Sequence, residues 1–192
     1  MVEILQLRVN RLKTPIGELL IVADEEGILR ATEWTDHESR IDTLLRRHYG
    51  EHGFRLEEAG KPDQLTRAME SYFAGALHAI DDLPVRTGGT PFQRCVWSAL
   101  REIPCGTTIS YGELAKRIGR PSAVRAVGLA NGSNPIGVVV PCHRVIGADG
   151  SLTGYGGGME RKRWLLEHER QGLPAQSGRD QVTQLPFEYF PC

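Results

Sequence analysis

The chain has 192 residues, 40% hydrophobic and 24% charged, an ordinary globular composition with enough length for a real core. No run of about 18 apolar residues occurs, and Met1-Val2-Glu3-Ile4 lacks the basic start and apolar core of a secretion signal, so neither a membrane span nor export is expected. The net charge of −1 hides an asymmetry: residues 1–85 carry 10 Lys+Arg against 16 Asp+Glu, and residues 86–192 carry 13 against 8, the pattern of a C-terminal half that faces a polyanion.

Cys95, Cys105, Cys142 and Cys192 form no CxxC pair and no framework of short spacings. Free thiols in a reducing cytoplasm are therefore expected, with no metal site and no cofactor.

In chain order, residues 3–12, Glu18–Ala23 and Ile28–Trp34 read as strands, separated by the turns Thr14-Pro15-Ile16-Gly17 and Asp24-Glu25-Glu26-Gly27. Short turns make them an antiparallel meander. Residues 36–49 and 63–73 carry apolar positions at helical spacing. Nothing in this acidic half looks catalytic, and His37, His48, His52 and His78 read as surface residues. Two prolines and a glycine pair in residues 81–91 break both helix and strand, which places a domain boundary near residue 85.

The second half opens with a helix over residues 92–100, with Pro91 in its first turn. Ser110-Tyr111-Gly112-Glu113 fits a capping box, and Gly119 ends the helix it starts. A second helix, residues 123–130, follows after Arg120-Pro121-Ser122. It consists of small residues around one charge, Arg125, so its backbone can approach a partner closely. This pair is a helix–turn–helix pattern, compatible with a narrow DNA groove or with tight helix packing. Asn131-Gly132-Ser133-Asn134-Pro135 reads as a turn cluster, and residues 159–170 as a last helix with Arg161-Lys162-Arg163 as a basic patch. Residues 171–192 have no period and read as a loose tail.

Between these elements lies Val138-Val139-Val140-Pro141-Cys142-His143-Arg144-Val145-Ile146. Its β-branched runs read as buried extended chain. A cysteine, a histidine and an arginine in such a stretch are either paired elsewhere or at work, because burying them alone costs several kcal/mol. The glycines around Tyr155 mark a loop that comes close to something or moves.

Pro141-Cys142-His143-Arg144-Val145-Ile146 resembles the active-site signature of the O6-alkylguanine-DNA alkyltransferases, or methylated-DNA–protein-cysteine methyltransferases. Thr90-Pro91-Phe92-Gln93, Ile103-Pro104-Cys105-Gly106, Ser110-Tyr111, Arg125-Ala126-Val127-Gly128, Asn131-Gly132-Ser133-Asn134-Pro135 and Trp164-Leu165-Leu166-Glu167-His168-Glu169 carry the resemblance in order. Thr14-Pro15-Ile16-Gly17, Glu33-Trp34 and Tyr72-Phe73-Ala74-Gly75 resemble the bacterial Ogt type. The resemblance implies an α+β protein, with an N-terminal antiparallel sheet and helix domain (1–85), a mostly helical C-terminal domain with the helix–turn–helix (86–170), and the tail.

The resemblance also implies direct-reversal DNA repair, a single irreversible transfer of the alkyl group from O6 of guanine to Cys142, with O4-alkylthymine as a further candidate substrate. His143 is then the base acting through a water, and Glu169 its orienter. Tyr111 is the donor to the guanine ring, and Asn134 the brace of the turn before the active site. Arg125 is the residue that takes the flipped nucleotide's place in the stack. Tyr111, Ser122, Ala123, Ala126, Gly128 and Ala130 join it at the minor groove of double-stranded DNA. Tyr155, Gly156, Gly157, Val145 and Met159 form the pocket. Where some relatives have serine, Gly156 leaves room, so alkyl groups larger than methyl are expected to fit.

The chemistry is coherent in its own right. Sulfur attacks saturated carbon, so a thiolate is needed but an oxyanion hole is not; free cysteine is only a few per cent ionised at pH 7, with pKa near 8.5. A His–Glu pair can take the proton. The target sits inside a duplex and must be flipped out, at about a few kcal/mol. A cytoplasmic monomer is expected, with cooperative assembly on DNA left open. The rivals are a helix–turn–helix regulator sensing alkylation or redox through Cys142, a lesion binder without transfer, and a cysteine hydrolase.

Overall fold

The computed structural model describes residues 4–172, so all but the first two residues of the expected tail lie outside the described residues. Strands β1 (Leu5–Thr14), β2 (Gly17–Asp24) and β3 (Leu29–Trp34) form the antiparallel meander. Thr14 closes the first turn, its hydroxyl donating to the Gly17 carbonyl at 2.6 Å and accepting from Ile16 N at 3.2 Å. Sequence reading missed β4 (Phe54–Glu58), which pairs in parallel with β1 and makes the sheet mixed, in the order β3-β2-β1-β4. Its residues are mostly exposed, so no alternation of buried and exposed positions betrayed it.

The sheet is covered on both faces. Leu7, Val9, Leu20, Val22 and Ala31 pack on Ile41 and Leu45 of α1 (Glu38–Tyr49). Leu12, Leu19, Ile21 and Leu29 face the main core with Leu65, Met69, Tyr72 and Phe73 of α2 (Gln64–Phe73). This explains why β2 is one continuous apolar run. Asp63 caps α2, accepting from Thr66 N at 2.8 Å. His48 departs from expectation: it is half-buried, its ring 5.8 Å from that of Trp97, and burial lowers its pKa.

The main core continues without a break into the second half. There α3 (Pro91–Arg101), α4 (Tyr111–Arg117), α5 (Val124–Gly132) and α6 (Met159–Gln171) surround a two-stranded parallel ribbon of β5 (Ile109–Ser110) and β6 (Val145–Ile146). The full capping box is at α3, not α4. Thr90 and Gln93 bond reciprocally at 3.2 and 2.9 Å, whereas Ser110 accepts from Glu113 N at 3.1 Å but the Glu113 carboxylate lies toward Arg117, at 3.7 Å. The helix–turn–helix is α4 and α5. Asn131 and Gly132, expected in a turn, complete the last turn of α5.

The exposed edge of β3 does not stay free. Leu29 bridges to Val85 and Thr32 to Ile136, with Thr32 N donating to the Pro135 carbonyl at 2.9 Å. This edge fixes the sheet beside the active-site segment. That segment overturns one expectation. Val138, Val139 and Val140 are buried, but they form a turn rather than a strand, with Val138 at φ +71° and Val140 N bonded to the Ile136 carbonyl at 3.0 Å. A β-branched residue in the left-handed region costs about 1–3 kcal/mol and persists only where its surroundings over-determine it.

Replacing Thr90 with alanine removes the cap of α3 and should lower stability by about 1 kcal/mol in urea unfolding, with the unfolding slope unchanged.

Candidate active site

Cys142, His143 and Arg144 form one short 3-10 turn and are all buried. Glu169 of α6, with no exposed surface, is the hub beneath them. It accepts from His143 Nε2 at 2.8 Å, from Arg144 Nε and Nη2 at 2.9 Å each, from the Tyr72 hydroxyl at 2.9 Å and from Gly106 N at 3.2 Å. Arg144 also reaches the Ile103 carbonyl. Burial would raise the Glu169 pKa, but His143 and Arg144 more than reverse this and hold the carboxyl well below its usual range. Tyr72 is driven the opposite way by burial and by the carboxylate it faces, so it stays a neutral donor. Gly106 presents its amide from a left-handed turn at φ +73°, which a side chain would strain.

Because His143 Nε2 donates to Glu169, Nδ1 is the bare nitrogen, and it has no partner among the described residues. Burial lowers the His143 pKa against the pull of Glu169. Burial likewise raises the Cys142 thiol, opposed by the Asn134 amide and the charge of Lys162. The resting pair is therefore thiol and neutral imidazole. Arg144 already balances Glu169, which leaves less of its charge to favour an imidazolium.

Asn134 fastens the approach to the cysteine. Its side chain donates to the Val140 carbonyl at 2.8 Å and accepts from Ile136 N at 3.0 Å. Asn131 Nδ2 reaches the Cys142 carbonyl at 3.4 Å. Lys162 is not part of a basic patch: it is fully buried, and Nζ donates to the Val145 and Thr153 carbonyls at 2.6 and 2.7 Å. It thereby ties the glycine loop to β6. Arg161 turns inward too, bonding the Ile16 and Gly157 carbonyls and lying 4.4 Å over the Trp34 ring. Of the three basic residues only Arg163 is exposed.

Tyr155, Gly156 and Gly157 line the cavity at Cys142, together with Glu33, Trp34 and Arg40 from the N-terminal half. Sequence reading assigned no role to those three. Gly157 has no room for a side chain, since a Cβ there would stand 2.5 Å from Trp34 Nε1. Val145 and Met159, expected in the pocket, are not in its wall. Val145 is buried in the core, and Met159 faces a separate groove with Pro15 and Trp164.

On the helix–turn–helix, Ser122, Arg125 and Ala126 are exposed and Ala123 is half-buried. Ala130 is not available to a groove. It is 3% exposed and its carbonyl accepts from Trp97 Nε1 at 2.8 Å, because Val127, Ala130 and Asn131 share the inward face at helical spacing. Leu129 points outward instead, 73% exposed. Gly128 lies against the Tyr111 ring, and the Tyr111 hydroxyl accepts from Thr153 at 3.4 Å, outside the Cys142 cavity.

Cys105 and Cys142 are free, whereas Cys95 is disulfide-bonded, against the expectation of free thiols throughout. Among the described residues no group of three or more His, Cys, Asp or Glu could hold a metal ion, and no helix is long and apolar enough to cross a membrane.

A buried cysteine next to a His–Glu pair, in a chain that carries a helix–turn–helix, is an arrangement that fits a DNA-binding protein with a reactive cysteine. Comparison with known proteins gives the same class by an independent route. The family described as 6-O-methylguanine DNA methyltransferase, DNA binding domain, matches residues 91–171, and its ribonuclease-like domain matches residues 7–87. The methylated-DNA–protein-cysteine methyltransferase of Shigella flexneri is 53% identical over 165 residues, covering 86% of this chain and 96% of the relative. That of Salmonella typhimurium is 54% identical over the same length. Among solved structures, the O6-methylguanine methyltransferase of Mycobacterium tuberculosis superposes with a TM-score of 0.71 at 41% identity, over 88% of this chain and 96% of that one. A structure of the same organism's protein in complex with DNA gives 0.70 at 42% identity, over 88% and 96%. The chain belongs to the methylated-DNA–protein-cysteine methyltransferase family.

Exchanging Glu169 for alanine leaves Arg144 buried without its counter-charge and should cost about 3–5 kcal/mol. The native carboxyl has a lowered pKa, so its contribution is complete above the ordinary value of about 4.3 and is lost as pH falls further. Urea unfolding between pH 5 and 3 should therefore show a steeper fall for the native chain than for the variant.

Proposed function

We propose that Cys142 is the acceptor in direct-reversal repair of O6-alkylguanine in double-stranded DNA. The observation that carries this reading is the buried Cys142-His143 turn hung on Glu169, with His143 Nε2 fixed on the carboxylate and Nδ1 without a partner among the described residues. His143 takes the thiol proton through a water. Sulfur then bonds to the alkyl carbon, the carbon–O6 bond breaks, and the guanine leaves with that electron pair. The proton returns to the base by way of donors at its edge, among them Tyr111. The thioether product is not a leaving group, so each chain acts once.

Arg125, exposed on α5, fills the gap left by the flipped nucleotide, and Ser122, Ala123 and Ala126 lie along the groove with it. Asn134 and Glu169 are positioning residues. Residues 1–85 and 86–170 serve as the two domains, the second carrying the chemistry and the DNA surface. The compartment is the one that holds DNA, the cytoplasm in a cell without a nucleus. The DNA-bound relative supports repair over a hydrolase, and the presence of the cysteine supports transfer over lesion binding alone.

Intact-protein and peptide mass spectrometry after mixing with a short duplex carrying one O6-methylguanine should find one methyl per chain, on the Cys142 peptide. Methyl on another cysteine would overturn the acceptor assignment, and duplex binding without transfer would favour the regulator or lesion binder. Because burial keeps His143 neutral at and above its ordinary value of about 6.5, the single-turnover rate should be level from pH 7 upward and fall in the acid range as the imidazole protonates.

A further inference from the structure

The cavity at Cys142 holds about 30 Å³, room for about two water molecules and not for a purine. A wall must therefore move before a flipped base can enter. Most of the walls are tied down. Asn134 is bonded into its own turn, Gly157 is held by Arg161, and Lys162 fixes the loop's other end at Thr153. Gly156 is different: its carbonyl is held from outside, by Arg40 Nη1 at 2.5 Å.

Arg40 reaches across from α1 of the N-terminal half. Its Nε lies 3.6 Å from Glu33 Oε2, and the Glu33 side chain is 7% exposed while that of Arg40 is 38% exposed. Glu33 is itself steadied by Trp34 N, which donates to Oε1 at 3.1 Å. So a buried carboxylate anchors a half-exposed guanidinium, and the guanidinium covers the glycine. The space expected beside Gly156 is already taken: a Cβ there would meet Arg40 Nη2 at 3.0 Å and Nη1 at 3.2 Å. The absence of a side chain at Gly156 thus makes room for Arg40, not for a larger alkyl group. Arg40 also borders the surface groove beside Gly128, Leu129 and Ser133, so a short swing carries it out of the pocket toward the face of α5.

We infer that Arg40, anchored on Glu33, is the movable wall of the alkyl pocket and the residue that sets the size of alkyl group the protein removes. This rests on Cys142 being the acceptor. The geometry favours small substituents while the guanidinium is in place, since a bulky group must displace an ion pair and a hydrogen bond as it enters. Charge makes the displacement unfavourable unless the guanidinium finds another anion, and a DNA phosphate at the α5 face supplies one.

The test compares single-turnover rates, at saturating duplex, for duplexes carrying O6-methylguanine and O6-benzylguanine. The wild type is set beside Arg40→Ala, Arg40→Lys, Glu33→Gln and, as a control for lost positive charge on the same helix, Arg47→Ala. Arg40→Ala should raise the benzyl-to-methyl rate ratio at least tenfold, with Arg40→Lys and Glu33→Gln moving it the same way by less and Arg47→Ala leaving it at the wild-type value. A ratio within twofold of wild type in Arg40→Ala, including both rates falling together, overturns the inference. Should Arg40→Ala fail to fold, Arg40→Lys and Glu33→Gln decide it by the same criterion. Wild type that puts no methyl on Cys142 would instead defeat the acceptor assignment on which the ratio depends.

Discussion

The carboxylate of Glu169 holds the site together. Five donors converge on two oxygens, from the α2 tyrosine, the turn after α3 and the Cys142–Arg144 turn. A lone carboxylate in this place would be neutralised or would unfold its surroundings, since burying an unpaired charge costs several kcal/mol. Arg144 makes the charge tolerable by a bidentate pair, and the orientation of a neutral His143 is fixed through Nε2. The arginine of the signature is therefore structural, and on the proposed reading the histidine beside it is the chemical partner. Tyr72, from the acidic half, completes the hub, so the N-terminal domain enters the site's foundation as well as its wall.

The resting site is closed and electrically quiet. Burial raises the thiol and lowers the imidazole, so neither is ionised before the substrate arrives. A thiolate formed in advance would be exposed to oxidation and to other electrophiles. Keeping the thiol protonated in a cavity of about 30 Å³ is what the proposed single use of Cys142 requires. Lys162, buried on two carbonyls, adds a fixed positive potential near the sulfur and holds the glycine loop that walls the pocket.

The two halves share one apolar core, and the edge of β3 is where they lock. Thr32 bonds to the Pro135 and Gly137 carbonyls, which brings the next residues, Glu33 and Trp34, against the active-site loop. Trp34, Gly157 and Arg161 then stack into a single contact between halves. This is why a half with no catalytic motif lines the pocket.

Periodicity and punctuation in the sequence were enough to place β1 to β3, the six helices and the helix–turn–helix, because amphipathic spacing, prolines and glycines act within a few residues of chain. The resemblance singled out Cys142, His143 and Glu169, and the structure brings His143 and Glu169 within 2.8 Å of each other. Local rules failed where the deciding partner is distant in sequence. Val138–Val140 read as strand because the run is β-branched, yet a turn fixed by Asn134 and the Ile136 carbonyl won. Lys162 read as surface charge because lysine usually is, yet two backbone carbonyls buried it. Ala130 read as groove-facing because it is small, yet Trp97 claimed its carbonyl. Arg40 carried no signal, and Glu33 and Tyr72, though part of the resemblance, carried no role, since what makes all three matter is a contact across the fold. The sequence by itself determined the three strands of the meander, the six helices and which residue types can do chemistry; the tertiary structure alone decided the fourth strand, which charges are paired, which nitrogen of His143 is bare and what walls the pocket, because those depend on burial and on partners that only packing brings together.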